Sequence, residues 1–427
     1  MSEPITWIGY TTRYRGGGPL QPRAARTLAA QQRGPVRVEA VETKRAFLDA
    51  MARLPSAGLR DLHFIGHAGM YGPMFGTVDR PEQLSPHEWQ SLPLPFVDGA
   101  TARFHACRTA RWFAPFFADH YGVPTYGHHL YTTYSRLPDR YAAVRPGDPV
   151  HVIGQPGLTS HGLRGALGKR MGWLPPQPMR RAEPRPQAPI EARHQAYDPV
   201  AARYDETFAD IRVRGPEWRW LEQRVAAGST VLDLGCGTGA LLRALAPRLR
   251  EGVGVDVSRG MLSHARRRGG ARLRFEALDG PDLPLPDASV DVVISLLSWR
   301  YLDWDPTMRE VLRVLRPGGR LLVVDMVGRA TRWREWPAAL RDRWRSLRDA
   351  RSYPGFAEAR DALVGDPAWH DMLQRHPLRA EHELHWYFES RFPGRCCERL
   401  TIGRLHRVLA FDTGPLYLER VPPLRYP

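Results

Sequence analysis

The segment Val231-Leu-Asp-Leu-Gly-Cys-Gly-Thr-Gly239 constrains this chain more than any other. A short strand of buried character runs straight into three glycines at alternate positions. The stretch Ala240–Leu249 that follows is rich in helix-forming Ala and Leu. Strand, glycine loop and helix in that order form the turn on which nucleotide-like ligands lie. Glycine allows the tight reversal and a close approach of backbone to ligand, and the first N–H groups of the helix are left for a polar or negative group. Such a loop alone also suits a dinucleotide or a bare turn, so the residues after it decide.

Three more features follow in order. Val253-Gly-Val-Asp256 reads as a second strand ending in an acid, 21 residues after Gly235. A spacing of about 20 is that of a carboxylate accepting ribose hydroxyls. Phe275-Glu-Ala-Leu-Asp-Gly280 ends a third strand at Asp279. Asp291–Ser295 is a fourth, and Glu310-Val-Leu-Arg-Val-Leu-Arg-Pro-Gly-Gly319 leads into Arg320–Asp325. This set resembles the class I S-adenosylmethionine-dependent methyltransferases of the "type 11" and ubiquinone/menaquinone-biosynthesis kind. Tyr197-Asp-Pro-Val-Ala-Ala-Arg-Tyr-Asp205 is similar to their leading helix.

The resemblance spans about 193–326 and implies a Rossmann-like fold with S-adenosylmethionine as cofactor. It implies that Asp233, Gly235, Gly237 and Gly239, with Cys236 among them, hold the methionine part. Asp256 would bind the ribose, Val257 and Met261 would pack on adenine, Asp279 with Gly280 would meet the adenine amino group, and Ser295 would line the methionine end. The reaction then asks for alignment of an acceptor lone pair with the sulfur–methyl bond and for exclusion of water. No catalytic base is fixed by the sequence. The acceptor pocket is expected around Trp299 and Tyr301 and under a helical cap at about 331–376, which carries Trp333, Trp336, Trp344 and Trp369. His370, His376, His382 and His385 are candidate bases. No Asn-Pro-Pro-Tyr motif follows Ile294, which argues against chemistry on nucleic-acid amino groups and for a small-molecule acceptor.

Six prolines fall within Trp173–Ile190. Proline removes donors and fixes φ, so this stretch predicts an extended linker, at about 171–192. It divides the chain into residues 1–170 and 193–427. The first part alternates strand signals (Ile5–Tyr10, Val36–Val41, Asp61–His67, Ala102–Cys107, Val123–Tyr126) with helical ones, including one capped by Thr43 and one opened by Ser85-Pro86. That order predicts an α/β domain with a largely parallel sheet. His67 and Cys107 end two of its strands, 40 residues apart. A thiol beside an imidazole is a workable nucleophile–base pair. The pair resembles the caspase-like fold and its CHAT branch, where His-Gly and Ala-Cys sit at neighbouring strand ends. Here the triplet is His105-Ala106-Cys107, and Ala68 separates His67 from Gly69. The resemblance implies either a regulatory or protein-binding domain or, as an alternative, a cysteine peptidase using the His67/Cys107 dyad. The fold expected is thus α/β in two domains, caspase-like and then methyltransferase.

The charge of +16 raises nucleic acid as a partner. All but Lys44 and Lys169 of the 61 basic residues are Arg, scattered along a chain also rich in Ala, Gly and Pro. That pattern fits compositional bias and argues against nucleic acid. The Cys spacing (107, 236, 396, 397) shows neither a disulfide framework nor a CxxC metal motif. With no signal-peptide pattern and no apolar run of membrane-spanning length, a cytoplasmic setting without bound metal is expected.

Overall fold

The computed structural model describes residues 3–14, 19–69, 71–77, 81–138, 145–155, 175–185, 195–280, 282–329, 331, 333–350, 352–375, 378–403 and 406–417. His376 and half of the expected linker, 171–174 and 186–192, lie outside them. The chain divides into two units, Met1–Gln187 and Ala188–Pro427.

The first unit carries strands β1 (Ile5–Tyr10), β2 (Val36–Ala40), β3 (Leu59–Ile65), β4 (Ala68–Gly69), β5 (Gly72–Gly76), β6 (Pro81–Gln83), β7 (Phe96–His105), β8 (Thr125–Gly127), β9 (Tyr131–Ser135), β10 (His151–Gln155) and β11 (Arg180–Ala182). Its main sheet has the order β11-β8-β7-β3-β1-β2, and every pair is parallel except β11 with β8. Helices Lys44–Ala52 and Phe113–Tyr121 bury Phe47, Phe113 and Phe117 with Trp7, Phe64, Trp89 and Phe104. Thr43 caps the first helix by accepting from Ala46 N at 3.0 Å, and Ser85 and Glu88 close a reciprocal capping box on the helix Pro86–Ser91. The Pro-rich stretch differs from a plain linker. Its three Pro-free residues Arg180–Ala182 add an edge strand to β8, the one sheet position that tolerates neighbouring prolines.

The second unit carries β12 (Thr230–Leu234), β13 (Glu251–Asp256), β14 (Leu273–Ala277), β15 (Val290–Leu296), β16 (Leu315–Gly328), β17 (Glu398–Ile402) and β18 (His406–Asp412). The order is β14-β13-β12-β15-β16-β18-β17. The first five run parallel, and β18 and β17 are each antiparallel to their neighbour. All five residues of β12 are buried, as a central strand covered on both faces requires. Leu232, Val253, Val293 and Val323 on one face and Val231, Leu242, Ile294 and Val324 on the other feed two apolar cores. In the sequence, Arg407–Val421 reads as two strands around a Gly414-Pro415 turn, and the hairpin lies earlier than that. Its strands are Glu398–Ile402 and His406–Asp412, and Gly414-Pro415 follows them instead of joining them. The buried face of β18 already ends where Gly414 turns the chain at φ 64°. No helix among the described residues is long and apolar enough to cross a membrane.

Candidate cofactor and acceptor site

Chain order reverses between β12 and β15: β13 and β14 extend the sheet on one side, and β15 and β16 on the other. In open parallel sheets the crevice at the carboxyl ends of two such strands is where ligands bind. The glycine loop occupies that point. Gly235 (φ 73°) has no room for a side chain, since a Cβ there would sit 2.3 Å from Ser298 Cβ. Gly239 (φ 76°) opens the helix Ala240–Leu245 in the left-handed region, where a Cβ would meet the Phe275 ring at 2.7 Å. The helix is shorter than expected because Pro247 falls in a 3-10 turn, Ala246–Arg248, that replaces its last turn.

A cleft opens over this loop, lined by Asp233, Gly235, Cys236, Gly237 and Thr238 below. Leu296 and Leu297 border it on the β15 side, and Tyr204, Phe208, Ile211 and Arg214 come from the segment ahead of β12. Three polar groups here lack partners among the described residues, Thr238 Oγ1 being one of them. Asp233 is 2% exposed, and its Oδ1 accepts no hydrogen bond. Burial, and then the charge of Asp256, push its carboxyl up to about 8. The buried Arg214 Nε also goes unused, with its guanidinium 4.0 Å over the Phe208 ring. An orphaned carboxylate oxygen and a guanidinium facing one cleft suit a zwitterion carrying an ammonium and a carboxylate, as the methionine end of S-adenosylmethionine does. Arg214 was not among the residues singled out in the sequence, because nothing in its local pattern links it to a loop 21 residues ahead.

Asp256 ends β13 beside the loop. Its Oδ2 accepts from Gly237 N and its Oδ1 from Ser258 N, both at 2.8 Å. Burial raises its carboxyl and these bonds oppose the rise. A carboxylate has about four acceptor positions, so two remain for ribose hydroxyls. Met261 is buried on the helix Arg259–Arg267, and Val257 is half-buried. Asp279 and Gly280 are exposed on the loop after β14. Ser295 differs from its expected place. It is wholly buried and bonded at 2.7 Å to Ser298 Oγ, so it braces the loop while Leu296 and Leu297 face the cleft.

The leading segment is pinned to the same place. Asp198 Oδ1 accepts from Gly260 N at 3.0 Å, and Asp205 meets His264 Nδ1 at 3.0 Å and Arg268 Nη2 at 3.1 Å. Tyr197 donates to Tyr301 Oη at 2.7 Å. Tyr301 also accepts from Arg300, which pairs at 2.6 Å with the fully buried Asp325. Trp299, expected in an acceptor pocket, is instead core: it is wholly buried against Phe388 at 5.4 Å and Tyr387. It opens the 3-10 turn Trp299–Tyr301 three residues past β15, and the helix Glu381–Arg391 covers it.

Helices Phe356–Val364 and Pro367–Arg375 of the cap pack Phe356 and Leu363 on Phe208, and Trp369 on Tyr204, over the cleft-lining segment. Trp333, Trp336 and Trp344 do not join them. They are 75%, 49% and 71% exposed, on and just before the helix Trp336–Ala350. His370 is exposed and bonded to Asp366 O, and His385 pairs with Glu389. The His382 side chain lies outside the described atoms. None of the described cap histidines lines the cleft.

In the first unit, His67 and Cys107 follow the adjacent strands β3 and β7, whose ends are level (Ile65 opposite His105). The Cys107 thiol engages Thr132, accepting from its N and sharing a bond with its Oγ1, both at 3.3 Å. The His67 ring packs edge-on to Tyr14 at 5.3 Å. The deep histidines are others: His63 Nδ1 and His105 Nε2 lie 3.1 Å apart, and burial lowers both.

Residues 231–319 match a family model described as a methyltransferase domain. A demethylmenaquinone methyltransferase of Clavibacter sepedonicus is 38% identical over 30% of this chain and 56% of its own length. The methyltransferase GfsG of Streptomyces halstedii is 38% identical over 32% of this chain and 52% of its own. The chain thus spans about half the length of these relatives. Among solved structures, an S-adenosylmethionine dependent methyltransferase from Mesorhizobium loti is 31% identical over 26% of this chain and 54% of that one, with a TM-score of 0.25.

Proposed function

We propose that this chain, whose C-terminal half is a class I S-adenosylmethionine-dependent methyltransferase domain, methylates a small molecule, with its N-terminal unit in a binding or regulatory role. The observation that carries the reading is the unpartnered Asp233 Oδ1, buried under a glycine loop at the switch point of the sheet. When bound, the cofactor supplies an already activated methyl group on a sulfonium. The protein has then to bind, orient and keep water out. Asp233 would take the ammonium and Arg214 the carboxylate of the methionine end. Asp256 would accept the ribose hydroxyls, Val257 and Met261 would flank adenine, and Asp279 with Gly280 would cover its amino edge. Tyr204 and Phe208, held down by Trp369 and Phe356, would exclude water from the open side.

The acceptor would enter beside Tyr301, whose hydroxyl takes hydrogen bonds from Arg300 and Tyr197. A phenol oxygen fixed in place by two donors could orient an acceptor hydroxyl or amine beside it. Relatives named for demethylmenaquinone support a small-molecule acceptor. For the N-terminal unit, level placement of His67 and Cys107 on adjacent strands supports the caspase-like relationship. The engagement of the Cys107 thiol by Thr132 favours binding over peptidase chemistry.

Isothermal titration with S-adenosylhomocysteine tests the reading. Wild type binds one equivalent and Asp256→Ala does not. Absence of binding by wild type would overturn it.

A further inference from the structure

The helix Glu381–Arg391 is two-faced. Leu384 and Phe388 enter the core, Phe388 stacking on Phe411 at 4.6 Å. His385 and Glu389, four residues apart, share another face, as helical periodicity requires. The helix ends at Phe392. Pro393 and Gly394, the latter at φ 82°, then turn the chain back over the last turn. That return brings Cys397 N to 3.0 Å from Glu389 Oε1, while His385 Nδ1 reaches the same oxygen at 2.8 Å. One donor atom each from His385, Glu389 and Cys397 lie within 4.8 Å of one another.

We propose that His385, Glu389 and Cys397 form a zinc site with a fourth position open to water. Imidazole nitrogen, carboxylate oxygen and thiolate sulfur are the donor set of zinc, and a thiolate disfavours magnesium or calcium. Bonds of about 2.0–2.3 Å in a tetrahedron leave donors about 3.4 Å apart. The three half-buried side chains, with donors within 4.8 Å of one another, would close in to that spacing around the ion. Glu389 and Cys397 bring a carboxylate and a thiol within 4.8 Å of each other beside the His385 imidazole. Glu381 has Arg329 as a partner, whereas among the described residues Glu389 meets the His385 imidazole and the Cys397 backbone N–H. A zinc ion would neutralise the carboxylate and the thiolate together, and the Cys397 proton would leave to solvent. The ion would staple the last turn of this helix to the segment feeding β17. The same helix holds Arg391 at 2.9 Å from Asp305 and Phe388 on Trp299, so the clamp would brace the wall beneath Tyr301.

Cobalt(II) titration of the chelator-treated full chain tests this, because a thiolate ligand gives a near-ultraviolet charge-transfer band and tetrahedral geometry gives intense visible bands. One equivalent of cobalt should produce both, and zinc should erase them. Cys397→Ser should abolish the charge-transfer band, Glu389→Gln should weaken binding roughly tenfold or more, and Cys396→Ser should leave the site intact. Retained S-adenosylhomocysteine binding reports that each variant is folded. No charge-transfer band in wild type, or a band that survives Cys397→Ser or depends on Cys396 instead, overturns the proposal.

Discussion

In Asp233→Asn the side chain keeps its shape and loses its charge, at the point where ligand binding and stability compete. Burial and the neighbouring Asp256 raise this carboxyl from 3.8 to about 8. In the ligand-free protein it is therefore protonated through neutrality, while in the unfolded chain it ionises near its ordinary value. A raised folded-state value means the native state holds the extra proton. Its contribution to stability is full below about pH 4, is lost as pH rises toward 8, and stays lost above. Four units at about 1.4 kcal/mol each set a ceiling of about 6 kcal/mol, and relaxation and water entry bring the expected cost at pH 8 to about 3. Asn does not ionise, so ligand-free Asp233→Asn should melt higher than wild type at pH 8 and within a degree or two of it at pH 5. The ligand ammonium has the opposite demand, because it needs the carboxylate. S-adenosylhomocysteine binding to wild type should release a proton below pH 8 and tighten as pH rises to that value. Asp233→Asn should bind roughly a hundredfold more weakly, about 3 kcal/mol. Melting curves at the two pH values and titration calorimetry in buffers of different ionisation enthalpy read all of this. A variant that melts lower than wild type at pH 8 and binds with unchanged affinity would refute the reasoning.

Gly235→Ala should lower stability by about 2–4 kcal/mol and abolish S-adenosylhomocysteine binding, since its Cβ meets Ser298 at 2.3 Å with φ at 73°. Denaturant melts check it, and near-wild-type stability would contradict the loop geometry. Trp299→Ala should cost about 3–5 kcal/mol as a core truncation, whereas Tyr301→Phe should cost nearer 1–2 kcal/mol. If the Tyr301 hydroxyl serves the acceptor, Tyr301→Phe keeps cofactor affinity and lowers kcat; unchanged kcat once an acceptor is in hand removes that role. Cys107 should react with iodoacetamide no faster than an ordinary thiol, and equally in His67→Ala. Fast labelling that needs His67 would restore the dyad.

The sequence by itself determined the parts of this protein that are local. A strand, a glycine loop and an acid at the next strand end are set by neighbours a few residues away, so the places of Asp233, Gly235, Gly239 and Asp256 in the fold were legible, whereas Asp279 falls on the loop past β14 and does not end it. Period-2 and period-3.6 patterns likewise marked β1, β3, β7, β12 and β13. What only the tertiary structure decided depends on which distant segments pack together. Trp299 and Tyr301 are two residues apart, yet the helix Glu381–Arg391 buries one, and Arg300 and Tyr197 engage the other. Three cap tryptophans stay in solvent while Trp369 reaches Tyr204. The Pro-rich stretch yields an edge strand because an open edge of β8 was there to receive it. Arg214 lines the cleft, and Cys397 returns to His385 and Glu389 after the Pro393-Gly394 turn. Spacing along the chain carries no record of that convergence. The glycine loop was readable because its residues are contiguous, and the residues that line the cleft above it were not, because packing assembles them.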